Sequence, residues 1–362
     1  MRTSDRRRKL VVAAAKAGAD AVLVTNLSDV RYLCGFNGSN AAFAVKGKES
    51  VLFTDGRYTQ QAADEVEGSR VEIVQDKSVA VAACAWLASN GAKACAFDDS
   101  HMSIAEYKRL QASLPKGIKR AFLLPCGPLV EQLREVKDEL EVEQMRAAAE
   151  LSVKLFHQSL EFIVPGATEW EVAMALEHMA RVEGADGMSF ETIIAGGERS
   201  ALPHGRASQA KLPRRGFVVM DFGVVLDGYC SDMTRTVHLG RARTGERETY
   251  DAVLAAQEAG LAAMRAGALA SEVDAAARTS LERSGLAEYF THSSGHGVGI
   301  EIHESPRLGR KSESRLKAGM IVTMEPGVYL PGRYGIRIED TVLVTQKGAE
   351  ILTSCTKAWI EL

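Results

Sequence analysis

The chain has 362 residues, 46% of them hydrophobic and 25% charged, with 32 glycines and 9 prolines; these are ordinary globular values and exclude collagen-like, low-complexity and disordered chains. Lys+Arg 44 against Asp+Glu 47 leaves a formal charge of −3, so no global field favours nucleic acid or a membrane surface. At roughly 100 to 200 residues per domain, the length predicts two domains.

Arg6-Arg7-Arg8 followed by the apolar residues 10–15 resembles the start of a secretory signal, yet Lys16 ends the apolar stretch, and an ordinary first helix is the better reading. No apolar run approaches the roughly 18 residues that cross a bilayer. Residues 1–125 then alternate short β-rich runs, Ala21-Val22-Leu23-Val24 and Ser50-Val51-Leu52-Phe53, with helical patterns over 78–89 and 104–113, which predicts an α/β domain. The six cysteines, at 34, 84, 95, 126, 230 and 355, form no C-x-x-C pair, as expected of reduced thiols in a cytoplasmic protein. Leu124-Pro125-Cys126-Gly127-Pro128 punctuates the chain. Residues 126–136 are therefore read as a linker and 137–362 as a second domain, opened by an amphipathic helix within 137–163.

The second domain contains a diverged repeat. Gly166-Ala167-Thr168-Glu169-Trp170-Glu171-Val172 opens a helix ending near Gly184, and 101 residues later Gly267-Ala268-Leu269-Ala270-Ser271-Glu272-Val273 opens another ending near Gly285. An apolar strand with an acid follows each: Val218-Val219-Met220-Asp221-Phe222-Gly223 and Val322-Thr323-Met324-Glu325-Pro326-Gly327. A further acid stands four residues after a glycine in each half, Asp232 after Gly228 and Glu339 after Gly335. A period this long is no solenoid unit; it predicts two similar halves about a pseudo-twofold axis, each giving two acids to a shared centre.

Asp227-Gly228 is a two-residue hairpin signal. Counted from that turn, residue i pairs with 455 − i, so Asp232 faces Gly223 and becomes a diagonal neighbour of Asp221 on one face. Two carboxylates so placed repel unless a cation holds them or one is protonated. Between the acidic pairs runs His292-Ser293-Ser294-Gly295-His296-Gly297-Val298-Gly299-Ile300-Glu301-Ile302-His303-Glu304, whose three imidazoles among small residues suggest a cleft wall where a ligand nears backbone.

With these segments on the page, the sequence resembles the metal-dependent Xaa-Pro peptidases, aminopeptidase P and prolidase. Further motifs carry the resemblance: Ser200-Ala201-Leu202-Pro203-His204-Gly205, Ser231-Asp232-Met233-Thr234-Arg235-Thr236 and Gly335-Ile336-Arg337-Ile338-Glu339-Asp340. The resemblance implies an α+β pita-bread catalytic domain with an internal pseudo-twofold repeat, preceded by a smaller creatinase-like α/β domain. It implies that Asp221, Asp232, His296, Glu325 and Glu339 ligate two divalent ions, with Asp232 and Glu339 bridging. Four carboxylates and one imidazole are an oxygen-rich set suited to Mn²⁺, with Co²⁺ or Zn²⁺ as alternatives. Glu325 would also relay a proton, His204 and His303 would contact substrate or transition state, His292 would line the pocket, and Arg337 would orient a carboxylate ligand. A homodimer is implied, with the amino-terminal domain helping to close the pocket.

Methionine aminopeptidase is a rival with the same metals, but Asp340 follows Glu339 where that family commonly has His, and it lacks so large an amino-terminal domain. A non-catalytic binding relative would be marked by a lost ligand, and none is lost. Among Xaa-Pro peptidases, Arg307, eleven residues after His296, occupies the place of a prolidase arginine that binds a dipeptide carboxylate. Gly35-Phe36-Asn37-Gly38-Ser39-Asn40 and Thr54-Asp55-Gly56-Arg57-Tyr58 look more like aminopeptidase P. The reading adopted is an Xaa-Pro aminopeptidase acting on peptides with Pro second, with prolidase as the alternative.

Overall fold

The computed structural model describes residues 3–118 and 120–362, and the chain forms two compact units, Met1–Arg134 and Glu135–Leu362. The first runs α1 (Thr3–Lys16), β1 (Ala21–Val24), α2 (Leu27–Cys34), β2 (Ala41–Lys46), β3 (Glu49–Asp55), α3 (Thr59–Glu65), β4 (Arg70–Val74), α4 (Val79–Ser89), β5 (Cys95–Phe97), α5 (Ile104–Ser113), β6 (Leu123–Pro125) and α6 (Glu131–Arg134). Its six strands are ordered β4-β3-β2-β1-β5-β6, antiparallel around the β2/β3 hairpin and parallel at both flanks. The arginine run after the start belongs to α1: Arg6 and Arg7 donate to the carbonyls of Tyr32 (3.1 Å) and Leu33 (2.8 Å) in the last turn of α2, carbonyls a helix end leaves unpaired. Residues 126–136, expected as a linker, include α6, because buried Arg134 reaches Asp29 at 2.7 Å and ties the stretch up to Arg134 into the first unit.

The second unit begins with α7 (Glu139–Ser159), started by Asp138, which accepts the N–H groups of Leu140 and Glu141 while Glu141 returns to the Asp138 N–H. There follow α8 (Glu169–Val182), β7 (Gly187–Met188), β8 (Ile193–Gly196), β9 (Gly216–Phe222), β10 (Val224–Leu226), β11 (Tyr229–Cys230), β12 (Met233–Leu239) and α9 (Glu246–Ala263). The second half continues with α10 (Ala270–Arg283), β13 (Gly295–Gly297), β14 (Glu304–Leu308), β15 (Ile321–Met324), β16 (Gly327–Leu330), β17 (Tyr334–Arg337), β18 (Asp340–Val344) and β19 (Ala349–Ile351). α7 and α8 bury Phe156, Val172 and Leu176 with Val218, Met220 and Val237 of β9 and β12. α9 and α10 bury Val253, Val273 and Ala277 with Val322, Met324 and Val342 of β15 and β18.

The repeat persists in backbone bonding. Gly166 N–H donates to Leu212 O and Leu212 N–H to Ala167 O in one half; Gly267 N–H donates to Leu316 O and Leu316 N–H to Ala268 O in the other. Each half also sends a long hairpin from one sheet into a second. β9/β12 lie in a sheet with β8 while β10/β11 pair with β7, and β15/β18 lie in a five-stranded sheet while β16/β17 form a separate ribbon.

Candidate active site

The acids gather where the hairpins change sheet. Asp227 and Gly228 take φ of 47° and 69°, the left-handed values a two-residue turn with the native twist requires. The register that follows runs through Leu226↔Tyr229, Val225↔Cys230, Phe222↔Met233 and Asp221↔Thr234, so Asp232 faces Gly223 as expected. A Cβ on Gly223 would collide with the Ser231 carbonyl, so only glycine allows the strands to close there. In the second half the register runs from Ile321↔Leu343 through Met324↔Asp340 to Gly327↔Arg337, which sets Glu325 directly across from Glu339. The first pair is diagonal and the second directly opposed.

Ligand atoms of Asp232, His296 and Glu339 lie within 4.8 Å of one another. His296, on β13, turns Nδ1 to the Gly297 carbonyl at 2.9 Å. With the proton held there, Nε2 offers its lone pair; it lies 3.5 Å from Asp232 Oδ2 and 3.7 Å from Glu325 Oε1. The glycines around His296 have a different cause from the one expected: Cβ atoms at Gly295 and Gly297 would strike the Thr323 and Ser305 carbonyls of neighbouring strands. Close strand packing, rather than ligand approach, excludes side chains there.

Arg337 is the cation built into this cluster. It donates to Asp221 Oδ2, to Tyr329 Oη at 2.7 Å, to the Pro203 carbonyl at 3.0 Å and to Thr234 Oγ1 at 3.1 Å, and Thr234 in turn donates to Glu339 Oε2 at 2.6 Å. Arg337 therefore orients Asp221 directly and reaches Glu339 only through Thr234. Thr234 and Tyr329 were missed in the sequence, although Thr234 is the cross-strand partner of Asp221 and Tyr329 stands two and four residues beyond Gly327 and Glu325 on an alternating strand.

One arginine does not balance the acids. Burial first, then the charges of Glu339, Asp221 and Glu325, push Asp232 well above the carboxylate range. Burial, Glu325 and Asp221 do the same to Glu339. Glu325 is pushed up to about 8 by burial and the Asp221 charge, against the pull of Arg337. Asp221 Oδ1 is buried without a hydrogen-bond partner. Buried carboxylates left in this state are costly, and the donor set of carboxylate oxygens with one neutral imidazole fits a hard or borderline divalent cation.

Beside the cluster opens a cleft of about 730 Å³ whose lining includes Phe290, His292, Ser293, Arg307, Arg310 and Lys311. His292 places Nε2 3.0 Å from Tyr329 Oη and Nδ1 3.9 Å from Glu325 Oε2; burial, then Arg337, pushes it down to about 4. Burial likewise takes His296 to about 4, with His303 and Arg307 adding. His303 is exposed and its ring meets that of His296 edge to face at 4.4 Å. Arg307 pairs with His296 across β13/β14, so the two share a face; its Nε donates to Ser293 Oγ at 3.1 Å. His204 is exposed on the loop after the 197–201 turn, close enough for its charge to depress His292 and His303.

Residues 143–346 match the model of metallopeptidase family M24, and residues 6–136 match the creatinase/prolidase N-terminal domain. The chain is 33% identical to the Xaa-Pro dipeptidase of Pyrococcus horikoshii, over 99% of each. Among solved structures it resembles an Xaa-Pro dipeptidase from Bacillus anthracis (TM-score 0.95, 36% identity, 100% of both chains). It also resembles an X-Pro aminopeptidase from Thermotoga maritima (TM-score 0.89, 34% identity, 97% of this chain and 100% of the other).

Proposed function

This chain belongs to metallopeptidase family M24 and joins a creatinase-type domain to a pita-bread catalytic domain, and from that premise we propose that it is a prolidase, a metal-dependent Xaa-Pro peptidase that prefers dipeptides. The observation that carries the preference for dipeptides is Arg307, the cross-strand neighbour of His296. A guanidinium one side chain from the reacting centre suits the free carboxylate that a dipeptide presents immediately beyond the scissile bond. The segments at 35–40 and 54–58, which favoured aminopeptidase P, lie in the first unit, which holds none of the clustered acids. The dipeptidase relatives support the alternative instead. The second reading, an aminopeptidase for longer peptides, draws on the likeness to the Thermotoga enzyme.

Asp221, Asp232, His296, Glu325 and Glu339 would hold two divalent ions, most simply Mn²⁺. When bound, these supply Lewis-acid polarisation of the scissile carbonyl and acidify water. The chain's own groups do the rest. Glu325 takes the proton from the attacking water and delivers it to the proline nitrogen that leaves. His303 and His204 donate to the oxygen on which charge develops. The Tyr329-Arg337-Asp221 chain holds a carboxylate in place.

The manganese-loaded protein is expected to cleave Xaa-Pro faster than Xaa-Pro-Yaa. Arg307→Ala should raise KM for the dipeptide about 10- to 100-fold, the loss of a charge-assisted pair, and leave the longer peptide nearly unchanged. Equal effects on both substrates would rule out Arg307 as the carboxylate anchor, and faster cleavage of the longer peptide would favour the aminopeptidase reading. For His303→Ala, kcat should fall about 10²-fold with metal content by atomic emission unchanged. Metal loss in that variant would move His303 into the ligand set.

A further inference from the structure

Glu169, the first residue of α8, is 1% exposed and stands outside the acid cluster. Its Oε1 accepts Gly196 N–H at 3.0 Å and Arg199 Nε–H at 3.0 Å, and its Oε2 accepts Arg199 Nε–H at 3.0 Å, Ser208 N–H at 3.1 Å and Ser208 Oγ–H at 2.7 Å. One buried carboxylate thus closes both ends of the segment 196–208. Inside it, Arg199 donates to the Arg206 carbonyl at 2.9 Å, and at the tip Pro203 O accepts from Arg337. His204 follows Pro203, and among the described residues its side chain has no hydrogen bond of its own. Its position is therefore set by the segment that carries it.

The repeat supplies a control. The helix start around Ala270 keeps the backbone pairing of the start around Glu169: Glu169 N–H donates to Ala210 O at 3.0 Å and Ala270 N–H to Ser314 O at 2.9 Å. Alanine occupies the equivalent position there, so the architecture does not itself require the carboxylate. At this helix start the carboxylate occurs only in the half that bears His204, where its donors come from the 196–208 segment; the second half has a different one, Asp274, four residues along α10, which accepts from Arg278 and Ser294.

We propose that Glu169 is a positioning residue for hydrolysis, holding His204 at the substrate through the clamped 196–208 segment. This rests on the reading of His204 as a substrate contact. A double-mutant cycle separates the two, since groups that act as a unit are not additive. In the metal-loaded protein, His204→Ala is expected to lower kcat about 10²-fold. Glu169→Gln, which puts an amide N–H₂ against the Arg199 and Ser208 donors, should lower kcat about 10-fold through misplacement with little change in KM. In the His204→Ala background, Glu169→Gln should change kcat by less than about 2-fold. In the metal-free protein, the imidazole NMR signal of His204, assigned by its absence in His204→Ala, should broaden or split in Glu169→Gln. Where Glu169→Gln does not yield folded protein, Arg199→Met enters the cycle in its place, removing one clamped partner and leaving the carboxylate its other donors. The same cost in both backgrounds, or an unaltered His204 signal, would overturn the positioning role and leave the His204 reading standing. A neutral His204→Ala would sink the His204 reading, and this inference with it.

Discussion

Replacing Asp232 by alanine is expected to reduce kcat/KM by at least about 10³-fold, since loss of a proposed metal ligand should matter more than loss of a single oxyanion donor, for which about 10² to 10³ is typical, and to lower bound divalent metal. The metal-free protein should respond in the opposite direction. Burial and the charges of Glu339, Asp221 and Glu325 make ionised Asp232 unfavourable there, so Asp232→Asn, which removes the charge and keeps the shape, is expected to raise the thermal midpoint of chelated protein. The group proposed to bind metal is then the one that destabilises the protein without it. Full metal occupancy with normal turnover in Asp232→Ala, or a lowered midpoint of metal-free Asp232→Asn, would contradict the assignment.

Glu325→Gln should lower kcat by about 10² to 10³-fold, because the amide neither accepts the water proton nor ligates as a carboxylate does. Its effect on stability against pH has a definite sign. Glu325 is raised to about 8 when folded from an unfolded value of about 4.3, so stability is full below the lower value and is lost as pH rises through the higher. His292 and His296, pushed down to about 4 from about 6.5, act in reverse: their contribution is present above about 6.5 and is lost as pH falls. Toward pH 8 the histidine contribution levels off while the raised carboxylates Asp232, Glu325 and Glu339 still change, and the chelated wild type should lose stability with rising pH. Glu325→Gln should flatten that slope. A thermal midpoint that rises from pH 6.5 to 8 in the chelated wild type, with the same slope in Glu325→Gln, would show that the metal-free surroundings do not hold Glu325 protonated.

The Asp227-Gly228 turn shows why part of the site was legible. Turn geometry depends on two residues, and once they adopt left-handed angles every pairing down the hairpin is counted from them; the diagonal placement of Asp221 and Asp232 follows. The 101-residue repeat was legible for a similar reason, since the glycine and capping residues around each helix act within a few positions. The stretch 126–136 misled because Pro and Gly mark a bend equally well in a linker and inside a domain; the buried Arg134–Asp29 pair joins residues 105 apart.

The sequence by itself determined the two-half design and the register of the first hairpin, because these rest on local backbone preference and on spacing along the chain; the candidate metal set is what resemblance to the family implies. Only the tertiary structure decided which groups distant in the chain meet. Arg337 alternates with Glu339 on the chain, yet its guanidinium turns to Asp221 in the other half. Glu169 stands in a helix start that the sequence marks, but nothing there names its partners, and it gathers Gly196, Arg199 and Ser208 onto one buried carboxylate. Such contacts join groups tens of residues or more apart, and their strength comes from exclusion of water, which exists only once the chain is packed.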